Sequence, residues 1–178
     1  MPVPDFSPGE VLTAAAMDSI GLWLVKTQTV GTAVSSVTVT DAFSANYDNY
    51  LILLNGGSAS ADGDLRMTLG AAAAGYYMAL PYANYAGATA VANTNNGASW
   101  QFVGSSKTTL LTVNMNVLGP FLSNETSMSG IYIGASAGGV AGAFGGFLNN
   151  TTSYTSFTLT PSTGTITGGT IRVYGYRN

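Results

Sequence analysis

The side chains that can do chemistry in this 178-residue chain are few: eight carboxylates, five lysines and arginines, and ten tyrosines. Histidine and cysteine are both absent. Their absence removes the commonest general base, the commonest metal ligand and any thiolate nucleophile. A Ser-His-Asp triad cannot be assembled. What remains is the two-carboxylate chemistry of glycosidases, or a Ca²⁺ site built from carboxylates and backbone carbonyls. Asp41, Asp48, Asp62, Asp64 and Glu125 are the candidates. Asp41 and Asp48 flank a predicted turn, and Asp62-Gly63-Asp64 forms a predicted turn tip ahead of a strand at Leu65–Leu69. Aspartate suits such places because its carboxylate accepts hydrogen bonds from nearby backbone amides. Turn capping therefore outweighs a catalytic pair. It also outweighs a Ca²⁺ ion on Asp62 and Asp64, which lack the further acidic ligands of a calcium loop. The expectation is no enzyme, with no catalytic residue, no metal and no cofactor.

Two other features of the sequence bear on chemistry. The run Gly138-Gly139-Val140-Ala141-Gly142-Ala143-Phe144-Gly145-Gly146 has neither a G-x-G-x-x-G ahead of a helix nor the Lys-Ser/Thr of a phosphate loop. Close packing around a symmetry axis, where only glycine and alanine fit, is its expected use. Tyr76, Tyr77, Tyr82, Tyr85 and Trp100 cluster in the central third. Such side chains stack on sugar rings and form contact hot spots. They suit either core packing with a tyrosine ladder, or a receptor or inter-subunit contact.

The elements that must position these groups fall into two unequal parts. Residues 1–21 carry a dense helix-start signal: Ser7 caps, Pro8 takes the first helical position, and Glu10 closes the capping box. Phe6 and Val11 form a hydrophobic staple across that cap. Val11, Ala15 and Ser19, beside Leu12, Ala16 and Ile20, follow helical spacing, and Gly21 offers the stop. The spacing predicts one α-helix over Pro8–Ile20, with a narrow apolar face that needs a partner surface.

From Leu22 onward the period becomes two. Val37 and Val39, then Val113, Met115 and Val117, then Phe157 and Leu159, and finally Ile171 and Val173 alternate with polar residues. Leu22–Val25 and Leu51–Leu54 read as strands covered on both faces. Turn signals are frequent, among them Asn55-Gly56-Gly57, Asn95-Asn96-Gly97 and Thr167-Gly168-Gly169. The fold class is therefore mainly β, an antiparallel sandwich or jelly-roll-like domain over 22–178, preceded by one short N-terminal helix. Ala71–Ala74 and Ala83–Ser99 are expected to form an elaborated loop.

Charged residues make up only 7% of the chain, against roughly 25% in an average soluble protein. Asparagine, serine, threonine and glycine fill the polar positions and cost less to desolvate than ions. Much of the surface is thus expected to be covered by other chains. Net charge is −3, and Lys26, Arg66, Lys107, Arg172 and Arg177 form no basic run, which argues against nucleic-acid binding. No apolar run is long enough for a spanning helix, so membrane insertion is not expected. No signal peptide is visible in the proline-rich opening.

Three segments carry a resemblance. Phe6-Ser7-Pro8-Gly9-Glu10-Val11-Leu12-Thr13-Ala14-Ala15-Ala16-Met17 resembles the F-x-x-G-x-V-L-T-A-A opening of tailed-bacteriophage tail and appendage proteins, with Asp18 where asparagine is usual. Val37-Thr38-Val39-Thr40-Asp41-Ala42-Phe43-Ser44-Ala45-Asn46-Tyr47-Asp48-Asn49-Tyr50 is similar to the V-x-V-x-x-x-F-S-x-x-Y-D-N-Y stretch of small phage virion domains. Gly168-Gly169-Thr170-Ile171-Arg172-Val173-Tyr174-Gly175-Tyr176 resembles their I-x-V-Y-G ending. The resemblance implies a structural protein of the phage particle, made in the host cytoplasm and commonly a homotrimer. It would bind other virion proteins through Phe6, Pro8, Val11, Leu12 and Met17, and would expose its β-domain to a host glycan or protein. A tail or fibre appendage is the first expectation; a capsid decoration, or cement, protein is the second.

Overall fold

The computed structural model describes residues 21–134 and 139–176. The predicted helix, and with it Phe6, Pro8, Val11, Leu12 and Met17, lies outside the described residues. Within them the chain forms fourteen strands. These are β1 (Leu22–Thr29), β2 (Val37–Val39), β3 (Asn49–Asn55), β4 (Ser58–Ala59), β5 (Gly63–Leu69), β6 (Tyr76–Asn84) and β7 (Thr89–Gly97). They continue as β8 (Trp100–Lys107), β9 (Leu110–Leu118), β10 (Thr126–Gly134), β11 (Val140–Leu148), β12 (Phe157–Pro161), β13 (Ile166–Thr167) and β14 (Thr170–Tyr176). All named pairings are antiparallel. The mainly β, antiparallel reading holds.

The sheet is organised around β9. Along one edge, β9 pairs with β3 from Val113 to Leu118, and β3 leads on to β14 and β1. Along the other edge it changes partner midway. Leu110–Val113 pair with β8, and Met115–Leu118 pair with β10. One arm then runs β8-β5-β12-β2 and the other β10-β11-β6-β7. At the fork stand two glycines, Gly104 opposite Val113 and Gly130 opposite Met115. A Cβ on Gly104 would lie 2.1 Å from the Thr112 carbonyl oxygen, and one on Gly130 2.5 Å from that of Asn114. Only a residue without a side chain lets both strands approach β9 so closely.

The arms enclose a core in the manner of a sandwich. Period-2 alternation decides which side chains fill it. Ile52 and Leu54 of β3, Leu65, Met67 and Leu69 of β5, Leu111, Val113, Met115 and Val117 of β9, and Ile171 and Val173 of β14 are all buried. Phe43 and Tyr50 meet edge to face at 4.8 Å, and Phe43 reaches Phe157 at 5.7 Å. Tyr50 also closes the loop before β3: its hydroxyl accepts from the Ser44 amide at 2.8 Å and donates to the Ser44 carbonyl at 3.0 Å.

Three local expectations need correcting. The segment 83–99 is not an elaborated loop: it contains the end of β6 and all of β7, joined by a short turn. Its strand signal is weak because β7 is an edge strand, paired among the described residues only with β6, and most of its residues face solvent. Asn95-Asn96-Gly97 is correspondingly no hairpin turn. It sits at the end of β7, where the register with β6 shifts and Asn96 adopts a φ of 52°. Nor are Leu22–Val25 covered on both faces: Leu22 and Leu24 are exposed, and among the described residues β1 is also an edge, paired only with β14.

Candidate functional site

The carboxylates do not converge. Asp62 lies in the turn before β5, and its carboxylate accepts the Thr108 amide at 2.7 Å. That bond holds its pKa below the ordinary carboxylate value. Asp64 is not at a turn tip but inside β5, and its carboxylate accepts the hydroxyl of Tyr132 on β10. The two aspartates thus serve different partners. Asp41 adopts a φ of 53° and lies 3.8 Å from Lys26. Among the described residues, no group of three or more acidic side chains is placed to hold a metal ion.

The five aromatic candidates are not gathered into one site either. Tyr76 and Trp100 are fully buried and pack edge to face at 5.2 Å. The Tyr76 hydroxyl accepts the Leu69 amide at 2.8 Å and donates to the Ala72 carbonyl at 3.2 Å. Burial pushes its pKa up to about 12, partly offset by the Leu69 bond. The Trp100 indole donates to the Phe147 carbonyl at 3.3 Å, joining β8 to β11. Tyr77 is half-buried and stacks on Phe147 at 4.9 Å. Tyr82 is half-buried near the rim of the core. Tyr85 is 70% exposed in the β6–β7 turn, where a Cβ on Gly139 would meet its ring.

What the structure does assemble is an apolar outer face on β10, β11, β6 and β7. Residues directly opposite one another across an antiparallel pair share a face. Reading the register across the strands gives Ile133, Ala141, Ala83 and Thr89 in one row. The next rows hold Ile131 and Ala143 beside Pro81 and Val91, then Gly145, Ala79 and Asn93 after Ser129. Phe147 and Tyr77 follow Ser127 in the last. Val91 is 69% exposed and Ile131 53%. No Asp, Glu, Lys or Arg lies between Arg66 and Lys107, or between Glu125 and Arg172, so these four strands carry no formal charge. Beside the Phe147–Tyr77 stack lies a shallow hollow lined by Gly145, Ala79 and Asn93.

The sequence reading did not single out Ile131, Ile133, Val91 or Phe147. The signal was present in the long charge-free stretches. Which face the residues take depended on the register of four strands, and that is not local information.

No family profile and no curated protein matches the chain. Two solved chains of infectious bursal disease virus align with it, one of the Gt strain at 12% identity with a TM-score of 0.14, and one of the Gx strain at 13% with 0.10. The alignments cover 99% and 100% of this chain but 46% of each of the other two. The chain thus spans less than half their length, and a likeness this distant carries no argument.

Proposed function

We propose that this chain is a non-enzymatic structural protein of a tailed-bacteriophage particle, most simply a tail or fibre appendage subunit. Its N-terminal segment anchors it to a neighbouring virion protein, and its β-domain faces the host surface as a jelly-roll-like module. The reading is carried by the three motifs in their order, Phe6–Met17, Val37–Tyr50 and Gly168–Tyr176. The low charge supports it, since a surface made to be covered by other subunits has little use for ions that must be desolvated. So does the dispersal of Asp41, Asp62 and Asp64, each tied to a different partner rather than turned into a common cleft. Contact with the host would then be multivalent, with weak sites summed over several copies.

The second reading, a decoration protein that clamps capsomers, is favoured by the broad apolar face, which suits protein–protein burial better than recognition of a polar glycan. Electron microscopy of virions carrying a tagged copy of the chain separates the two. An appendage gives a few labels at the tail, a decoration protein gives many over the head, and no label on either sinks both. For the glycan-degrading alternative, polysaccharide incubated with the chain and with D48N and D62N variants should show no depolymerisation by any of them.

A further inference from the structure

We infer that the outer face of β10, β11, β6 and β7 is where copies of this chain pack against one another, with β11 closest to the symmetry axis. The inference concerns contacts between copies and stands whether or not the chain belongs to a virion.

Gly145 points to close approach from outside. Other glycines of this arm are required by the fold: a Cβ on Gly142 would lie 2.3 Å from the Pro81 carbonyl oxygen, and one on Gly146 2.1 Å from that of Tyr77. Gly145 is different, because a Cβ there would meet nothing nearer than 3.7 Å. Glycine inside a strand is destabilising relative to alanine, and the described residues of the subunit offer no reason to accept that loss. Its neighbours on the same face are Ala143, Ala79 and Ser129, with Phe147 on the far side, so the face is low beside the Phe147–Tyr77 stack. Two sheet faces can come unusually near one another only where the side chains between them are this small.

Charge identifies the occupant. The face carries no ion, so a charged partner surface would lose its hydration there without compensation. The same face of a second copy carries none either, and no ion is buried when the two meet. Each strand of the face is nine residues long. Four such strands at about 4.8 Å spacing and about 3.4 Å per residue cover roughly 600 Å². Burying two such faces removes roughly 1,200 Å², the lower end of what a specific, stable interface needs.

Ile131 and Val91 are exposed in the subunit, so I131K and V91K leave its core untouched. Sedimentation of the full-length chain at about 50 µM should give a homo-oligomer, with both variants reduced to the 18.2 kDa monomer at unchanged circular dichroism. Because the chain has no cysteine, A143C provides a unique probe, with T163C in the β12–β13 loop as control. Maleimide should modify A143C many-fold more slowly than T163C in the oligomer, and the difference should shrink on dilution. Three results overturn the inference: a monomeric wild-type chain, an oligomer that survives both lysine substitutions, or a protected A143C in a monomer. The last would mean that the chain's own N-terminal residues cover the face. A second variant, A143R, guards against a misfolded lysine variant.

Discussion

Tyr132 of β10 donates its hydroxyl proton to the carboxylate of Asp64 on β5, joining the two arms that diverge from β9. Phe102 of β8 packs edge to face on the Tyr132 ring at 6.5 Å and shields the contact. The bond replaces water around a half-buried carboxylate and fixes the spacing of the arms where the sheet has no ladder to do so. Removing one partner of such a bond strands the other. Y132F should therefore cost about 1–2 kcal/mol of unfolding free energy, the low end for a charged acceptor because Asp64 keeps some access to solvent. D64N keeps an acceptor and should cost less. Urea denaturation of both variants checks the order. Equal losses would mean that the bond depends on the full charge of Asp64 and that a neutral amide oxygen cannot replace it.

The same tyrosine makes the fold sensitive to alkali. Burial raises the pKa of Tyr132 above its ordinary value, and the bond to Asp64 and that group's charge raise it further. Burial likewise raises Tyr50 and takes Tyr76 to about 12. In the unfolded chain all three ionise near pH 10. Below that pH both states hold their protons and stability does not depend on these groups. Between about pH 10 and 12 the unfolded state loses protons that the folded state keeps, so stability falls as pH rises. Melting temperature should be flat from pH 7 to 9 and then drop. Y132F should start lower and fall less steeply, and an unchanged slope would remove Tyr132 from the account.

At the fork, Gly104 and Gly130 give a steric prediction. Alanine at either position places a Cβ against backbone, not against a flexible side-chain end. G104A and G130A should each destabilise by about 2 kcal/mol or more, since backbone must shift to admit the methyl group. G145A is the contrast, because its Cβ would meet nothing nearer than the Met128 carbonyl oxygen at 3.7 Å. It should leave the subunit as stable as before or raise its stability by up to about 1 kcal/mol. Thermal melts of the three under conditions that keep the chain monomeric test the set, and a G145A loss matching the other two would show that an inner constraint has been overlooked.

Much of this fold was legible in the sequence, and the failures share one cause. Val113, Met115 and Val117, like Ile171 and Val173, alternate strictly because their strands are flanked on both edges and buried on one face. The pattern therefore survives in the residues themselves. Thr89–Gly97 shows no such pattern, because an edge strand with one face in solvent is held by its ladder to β6 more than by its side chains. Asp62-Gly63-Asp64 has turn composition, yet only Asp62 behaves so. The partner of Asp64 is 68 positions away, and no local rule points to it. The outer apolar face was hidden for the same reason. Ile131 and Val91 become neighbours of one surface only through β11 and β6, which lie between them.

Of the aromatic candidates, Trp100 and Tyr85 mark the two extremes. Trp100 is fully buried, packs on Tyr76 and ties β8 to β11. W100A should cost about 3–5 kcal/mol, enough to unfold a marginal domain. W100F keeps most of the volume and loses the indole donor, so it should cost less. Y85A removes an exposed ring and should change stability by less than about 0.5 kcal/mol. If Tyr85 serves contact with a receptor or another subunit, Y85A will instead reduce adsorption or assembly at normal stability, which a binding assay beside the melt would register.

The N-terminal segment allows its role to be tested apart from folding. Every ladder among the described residues, beginning with Leu22 opposite Tyr176, lies within residues that a deletion of 1–19 retains. The truncated chain should therefore fold, with a melting temperature within a few degrees of the full chain and the same β circular dichroism. If Phe6, Pro8, Val11, Leu12 and Met17 make the anchor, the folded fragment will fail to enter particles assembled without the full-length chain. Fusing residues 1–21 to an unrelated soluble protein should carry that protein onto the particle. A truncated chain that unfolds would place the segment in the core of the domain. A folded one that still assembles would move the attachment to the β-domain itself, with the outer face of β10, β11, β6 and β7 as the first surface to mutate.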